Sequence, residues 1–252
     1  MISYLVCATH RSGSNLLCQA LWHTELCGFP QEFFSPTRAQ RIAEEYGLDT
    51  DPDSDYAGYV AELVKKRVSS NGVFGAKIMW PHLEPFIMET GGDSQGVVEL
   101  LAGMFPNVRY LWIRRDDKLR QAISMWKAKQ TKVYNSLQLE ETKKPAGVPA
   151  YDFQEINNIK QRFEDEDSAW QNFFAGNDII PIEIHYEDFA GNHDFLTPLK
   201  VSSSECLFPT PPLQLSTPPT RNCLRILLAR NPAIVPPLQL RSPYGLAGPY
   251  MY

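Results

Sequence analysis

The sequence predicts an α/β fold in three layers, with a central, mainly parallel β-sheet flanked by helices. Short apolar runs, typical of strands buried on both faces, alternate with longer segments of helical periodicity. Two of these runs, ending at Ala8 and Ile113, are each followed by a polar turn and a helix. With 43% hydrophobic residues, a chain of 252 residues can bury a large core as one domain.

The apolar runs predict strands at residues 4–8, 75–80, 108–113 and 179–185. Helices are expected from about residue 15 and over 38–46, 56–68, 97–104, 116–129 and 157–174. Thr37 is the expected N-cap of the helix at 38–46, and Asp53 or Ser54 is the expected N-cap of the helix at 56–68. The side-chain oxygens of these residue types accept hydrogen bonds from the free N–H groups of a first helical turn. Ligands of parallel sheets bind at the carboxyl ends of strands, so we expect the site there.

Composition excludes several classes of protein. The net charge of −5, without a dominant basic stripe, argues against a general nucleic-acid binder. There is no run of roughly 18 apolar residues to span a membrane and no secretory signal, so we expect a cytoplasmic protein. The five cysteines are odd in number and lack a C-x-x-C pair. They favour buried thiols in a reducing compartment over a disulfide frame or a zinc site.

The composition changes near Asp194. Residues 195–252 hold eleven of the 20 prolines, and their only acidic residue is Glu205. Proline at this density prevents regular helices and central strands. We therefore predict a folded domain at 1–194 and an irregular or partly disordered tail at 195–252. A proline-rich interaction tail is the alternative.

The segment YLVCATHRSGSNLLCQAL at residues 4–21 predicts a strand, a tight turn and a helix. Such a turn directs backbone N–H groups and a helix N-terminus at one point, which suits an anion. Arg11 adds a positive charge, Gly13 allows close approach of the backbone, and the hydroxyls of Ser12 and Ser14 are further donors. The turn lacks the lysine of a Walker A motif. Its expected ligand is a phosphate or a sulfate-bearing nucleotide, and an ordinary strand-to-helix turn is the alternative.

The segment VRYLWIRRDDKLRQAISMW at residues 108–126 repeats the pattern. Arg114 and Arg115 precede the helix and Ser124 lies on it, which indicates a second anion site. The alternative is that Arg115 pairs with a neighbouring carboxylate. One ligand with phosphates at both ends would account for both segments.

Four motifs occur in a specific order: RSGS at 11–14, PQEFF at 30–34, GAKIMW at 75–80 and RQAISMW at 120–126. In this order they resemble the bacterial carbohydrate sulfotransferases of the trehalose 2-sulfotransferase type, which use 3′-phosphoadenosine 5′-phosphosulfate (PAPS). The resemblance runs from about residue 3 to about 189 and stops beyond about 195, where the family continues with a helical, charged C-terminus.

The resemblance implies a P-loop-like fold, PAPS as sulfuryl donor, no metal, a saccharide or glycolipid acceptor such as trehalose, and a homodimer. It implies that Arg115 and Ser124 hold the 3′-phosphate, and that Arg11 also stabilises charge on the leaving phosphate. The residues implied to hold the 5′-phosphosulfate are Arg11, Ser12, Gly13, Ser14 and Asn15.

The resemblance further implies that Glu32 is the general base for in-line transfer. Its apolar neighbours predict a pKa raised by burial towards the range useful for a base. His10 is the rival base, although its place before Arg11 favours a structural or cofactor-side role. Lys77 is expected to contact the sulfuryl group or the acceptor, and a solvated lysine at a strand end is the alternative.

Two other functions remain open. A P-loop-like phosphotransferase is disfavoured, because no Lys-Ser/Thr pair follows Gly13 and no magnesium-binding Asp ends an apolar strand. An inactive sulfotransferase relative is the other, because the C-terminus departs from the family pattern.

Overall fold

The computed structural model describes residues 1–24, 26–35, 37–92, 96–134 and 150–190. Its centre is a sheet of four strands in the order β2-β1-β3-β4, in which every neighbouring pair is parallel. The strands are β1 (Ile2–Ala8), β2 (Val73–Met79), β3 (Arg109–Arg114) and β4 (Ile182–His185). The predicted α/β architecture with a parallel sheet is confirmed. The predicted tail at 195–252 lies outside the described residues.

The helices connect the strands and cover both faces of the sheet. They are α1 (Ser14–His23), α2 (Ala39–Tyr46), α3 (Tyr56–Arg67), α4 (Trp80–Glu89), α5 (Val97–Met104), α6 (Lys118–Thr131), α7 (Phe153–Gly176) and α8 (Tyr186–Ala190). On one face, Val6 of β1 packs in a cluster with Leu17 and Leu21 of α1. On the other, Leu5 packs in a larger cluster built from α2, α3, α4, α5 and α7.

Side chains of β1 therefore point alternately to the two faces of the sheet and pack into two separate cores. This is expected for a central strand that is buried on both faces. Tyr4, Leu5 and Val6 are at most 1% exposed, so neither face of β1 meets solvent. The indole of Trp170 on α7 donates to the carbonyl of Ala8 at 3.1 Å. This bond anchors the longest described helix to the carboxyl end of β1.

Local details differ from the prediction. The cap of α3 is Asp55, whose carboxylate accepts from the N–H of Gly58 at 2.8 Å, not Asp53 or Ser54. The N-cap residue of α2 is Arg38, not Thr37. The helix α4 was not predicted, because Pro81 and Pro85 interrupt its pattern. Pro81 lies in the first turn, where its missing N–H costs no intrahelical bond.

The cysteines follow the prediction in part. Cys7 and Cys18 are free, buried thiols. Cys27 is disulfide-bonded, so the prediction of free thiols is wrong at this position. Pairing depends on which side chains meet in space, and the spacing of cysteines in the sequence does not reveal it. In the described part of the chain, no helix has both the length and the apolar character needed to cross a membrane.

We predict that Gly75→Ala destabilises the sheet. Gly75 pairs with Tyr4 across β1 and β2, and a Cβ there would overlap the Tyr4 ring. The ring cannot easily move, since it is fully buried and its hydroxyl donates to the carbonyl of Cys27 at 2.7 Å. Urea denaturation should show a loss of about 1–3 kcal/mol in the free energy of unfolding.

Gly103→Ala on α5 is the matched control, because nothing lies within 4 Å of the added methyl group. Replacing a helical glycine by alanine should stabilise the protein by about 0.5–1 kcal/mol. Equal effects at the two glycines would show that overlap with Tyr4 is not what constrains Gly75.

Candidate active site

The turn after β1 leads into an uncapped helix N-terminus. Gly13 is the N-cap residue of α1, with φ 91°, and no side chain caps this end within the described residues. The first intrahelical bond runs from the N–H of Leu17 to the carbonyl of Gly13 at 3.1 Å. The N–H groups of Ser14, Asn15 and Leu16 therefore lack intrahelical partners and form the positive end of the helix dipole. The predicted strand, turn and helix are observed, and anion binding at this turn stays a prediction.

Two predicted cofactor-binding segments meet beside this turn. Arg11 is in the left-handed region, with φ 63°, and its Nε donates to the hydroxyl of Ser124 at 2.8 Å. Its guanidinium also donates to the carbonyl of Tyr134. Arg115 lies 3.5 Å from the carbonyl of Arg11 and stacks over the ring of Tyr186, 4.4 Å from its centroid. The structure thus brings Arg11, Arg115 and Ser124 together.

No carboxylate of the described residues neutralises the guanidinium groups of Arg11 and Arg115. Neither Arg11 nor Arg115 forms an ion pair with a carboxylate in the part of the chain that the structure describes. Burial, and then the charge of Arg115, lowers the pKa of Arg11. The Nε of Arg115 is buried without a hydrogen-bond partner among the described residues. Two adjacent cations beside a helix N-terminus are an arrangement that favours an anionic ligand.

The neighbouring carboxylates are bound elsewhere. Asp116 lies 3.0 Å from the imidazole of His185, and Asp117 lies 3.3 Å from Arg120. The alternative in which Arg115 pairs with the adjacent acids is therefore not observed. Arg114, in contrast, lies 3.5 Å from Glu183.

The serines of the turn point inward. Ser12 is fully buried, and its hydroxyl has no hydrogen-bond partner among the described residues. Ser14 is 3% exposed. Arg11, Gly13 and Asn15 are the half-buried members of the turn. The surface offered to a ligand is therefore made by these three residues and the backbone, more than by the serine hydroxyls.

Gln121 is a site residue that the sequence did not single out. From α6, its side-chain amide donates to the hydroxyl of Thr9 at 2.9 Å and to the carbonyl of His10 at 2.7 Å. Its oxygen accepts from Lys118 at 3.2 Å, and Lys118 pairs with Asp167 at 2.5 Å. The buried amide thus fixes the start of the turn. Its place in the RQAISMW motif was the available signal.

Glu32 and Lys77 meet at the carboxyl end of β2. Gln31 forms a parallel bridge with Ala76, and its carbonyl accepts from the N–H of Lys77 at 2.7 Å. This pairing places the Lys77 ammonium 3.2 Å from Oε2 of Glu32. The ammonium also donates to the side-chain oxygen of Asn15 at 2.5 Å. Lys77 is 4% exposed, so the alternative of a solvated lysine is wrong.

The other oxygen of Glu32 faces α4. Nδ1 of His82 lies 3.1 Å from Oε1 of Glu32. The two atoms are within hydrogen-bonding distance, although Nδ1 is not well aligned with this oxygen. The ring of His10 meets that of His82 edge to face, with centroids 6.2 Å apart. Glu32 therefore lies between two nitrogen-bearing side chains from different elements.

The pKa of Glu32 differs from the sequence prediction. Burial raises it, but the contact with His82 and the charge of Lys77 outweigh burial and hold the pKa at about 2. The prediction of a raised pKa is wrong, because apolar neighbours in sequence did not reveal the cationic neighbours in space. Burial lowers the pKa of His10 to about 4, which leaves this imidazole neutral near pH 7. Among the described residues, no group of three His, Cys, Asp or Glu could hold a metal ion.

A sequence model of the Stf0 sulphotransferase family matches residues 3–201. The chain belongs to this sulfotransferase family.

Two curated trehalose 2-sulfotransferases are similar to the chain. Trehalose 2-sulfotransferase of Mycobacterium tuberculosis (strain ATCC 35801 / TMC 107 / Erdman) is 30% identical over 209 residues, covering 73% of this chain and 76% of that protein. Trehalose 2-sulfotransferase of Mycolicibacterium smegmatis is 26% identical over 216 residues, covering 73% and 77%. The predicted resemblance to sulfotransferases of this type is confirmed.

We predict that Glu32 makes the sulfotransferase sensitive to acid. Its pKa is about 2 in the folded protein against an ordinary value of 4.5, so its stabilising contribution is complete above pH 4.5 and is lost as the pH falls towards 2. Between about pH 6 and about pH 3, wild type should lose about 2 kcal/mol of unfolding free energy relative to Glu32→Gln. Urea denaturation of both proteins across this range measures the difference. A constant difference would contradict the lowered pKa.

Proposed function

We propose that this sulfotransferase moves the sulfuryl group of PAPS, by in-line transfer and without a metal, to a hydroxyl of a saccharide or glycolipid acceptor. The observation that carries the proposal is the pair of guanidinium groups of Arg11 and Arg115, which no described carboxylate neutralises, beside the uncapped N-terminus of α1. A nucleotide with a phosphate on each side of its ribose matches two adjoining anion sites. The names of the two curated relatives support a saccharide acceptor.

The residues present fit such a donor. The backbone from Gly13 to Asn15 would hold the 5′-phosphosulfate, since its N–H groups begin α1 and lack a cap. Arg115 and Ser124 would hold the 3′-phosphate, and the Nε of Arg115 is still without a partner among the described residues. Arg11 bonds Ser124 at 2.8 Å, so we assign its side chain to the 3′-phosphate side as well.

In this proposal, Lys77 is the cationic residue that lies nearest the transferred sulfuryl group. Its ammonium lies 3.2 Å from Glu32 and 2.5 Å from Asn15, at the first turn of α1. Arg11 turns towards Ser124 instead, so it would have to release that hydroxyl to reach a bridging oxygen. We therefore assign stabilisation of charge on the transferred group mainly to Lys77, with positioning and electrostatics as the main sources of catalysis.

Glu32 is the proposed acceptor of the hydroxyl proton. A carboxylate with a pKa of about 2 is ionised at any working pH but is only weakly basic. A weak base is sufficient if the transition state is loose, as in related phosphoryl transfers. The hydroxyl then loses its proton late, after its oxygen has begun to bond the incoming group. His10 is neutral near pH 7 but packs against His82 while its carbonyl is held by Gln121, which supports a structural role.

We predict that Arg115→Ala weakens binding of 3′-phosphoadenosine 5′-phosphate (PAP) by about 2 kcal/mol, because it removes a charged partner of the 3′-phosphate. Affinity for adenosine 5′-phosphate should change little. Arg114→Ala is the matched control, because Arg114 is paired with Glu183 and should not affect PAP.

Thermal-shift titrations with PAP, ATP and GTP, each with and without Mg²⁺, measure these affinities. Stabilisation of wild type by PAP without Mg²⁺ supports the proposal. Stabilisation only by ATP or GTP with Mg²⁺ would favour a phosphotransferase, and no response to any nucleotide would favour an inactive relative. Equal losses for both adenosine nucleotides in Arg115→Ala would remove Arg115 from the 3′-phosphate site.

We also predict that Glu32→Gln lowers sulfuryl transfer from PAPS to trehalose by about 10²–10⁴-fold while PAP still binds. The reason is that the amide keeps the size of the side chain but cannot take the proton. His10→Gln is the paired control and should be the milder change. Retained activity in Glu32→Gln would indicate that His10 or water is the base. Loss of both activity and PAP binding would indicate that Glu32 has a structural role.

A further inference from the structure

The carboxylate of Glu32 is held from two sides by two different elements. Lys77 of β2 lies 3.2 Å from Oε2, and His82 of α4 lies 3.1 Å from Oε1. No residue separates the end of β2 at Met79 from the start of α4 at Trp80. Lys77 and His82 therefore lie five positions apart on either side of a direct junction between β2 and α4.

From this geometry we propose that His82 is a positioning residue for Glu32, holding Oε1 from α4 while Lys77 holds Oε2 from β2. The inference rests on the proposed role of Glu32 as proton acceptor. Without His82, the carboxylate is free to rotate and present both oxygens to Lys77. The oxygen that faces the acceptor hydroxyl would then no longer be fixed in direction.

His82 is itself supported. The ring of His10 packs on it edge to face, and His10 is held through its carbonyl by Gln121. On α7, Glu166 lies within electrostatic range of His82, and Arg162 lies within electrostatic range of His10. Among the described residues, Glu32, His10 and Glu166 are the titratable groups that interact with the imidazole. At 23% side-chain exposure, His82 is partly accessible and not part of the core.

The test compares His82→Leu with His82→Asn. Asparagine places an amide nitrogen near the position of Nδ1, whereas leucine keeps the bulk and removes every polar atom. We expect His82→Leu to lower kcat for sulfuryl transfer by about 10–100-fold, with the Kd for PAP within about twofold of wild type. His82→Asn should recover most of kcat. An unchanged kcat in His82→Leu would overturn the proposal, as would a loss of PAP binding shared by both variants.

A second measurement does not depend on turnover. The ¹³C carboxyl resonance of Glu32, assigned by its absence in Glu32→Gln, reports the pKa of this group directly. His82→Leu should raise that pKa by about one unit or more, because one of the contacts that lower it is gone. An unshifted titration would overturn the proposal. If wild type transfers no sulfuryl group, the proposed function fails while this titration still tests the contact between His82 and Glu32.

Discussion

The site depends on the pairing of β1 with a parallel strand on each side. Ala8, the last residue of β1, is in register with Met79 of β2 and with Ile113 of β3. Three carboxyl ends therefore meet at one edge of the sheet, and the turn that holds Arg11 and Gly13 lies between them. Every candidate site residue lies on or near one of these ends, as expected for ligands of parallel sheets.

The two sides of this turn carry opposite electrostatic arrangements. On the β3 side, Arg11 and Arg115 lie together without a described carboxylate, which suits an anionic ligand that brings its own charge. On the β2 side, Lys77 is already paired with Glu32. A ligand that supplies phosphates on the first side and a neutral hydroxyl on the second would complement both, as the proposed function expects.

Buried charges also connect the site to the stability of the fold. Burying the charges of Lys77 and Glu32 costs free energy of desolvation. Their mutual attraction offsets this cost because Asn15 also contacts the ammonium and His82 also contacts the carboxylate. Removing one partner leaves the other buried and unpaired. The β2 side is therefore held together by the same contacts that orient its carboxylate, and substitutions there must be judged on stability and activity together.

Much of the fold follows from local sequence. The strands and most helices were predicted to within a few residues, because apolar periodicity and turn residues act over short distances. The helix α4 was not predicted, because Pro81 and Pro85 interrupt the helical pattern of its sequence. Its stability depends on the tertiary packing of Leu83 and Phe86. The cap of α3 was misplaced by one or two residues, a choice among Asp53, Ser54 and Asp55 that depends on backbone angles.

For the site, the sequence by itself determined which polar residues follow which strands, and the order of its motifs pointed to the sulfotransferase family. Only the tertiary structure decided their partners. Arg11 and Ser124 bond although they are 113 residues apart, and Glu32 acquires a low pKa because β2 and α4 bring Lys77 and His82 to it. The physical reason is that charge and burial depend on neighbours in space, which the order of strands in the sheet brings together.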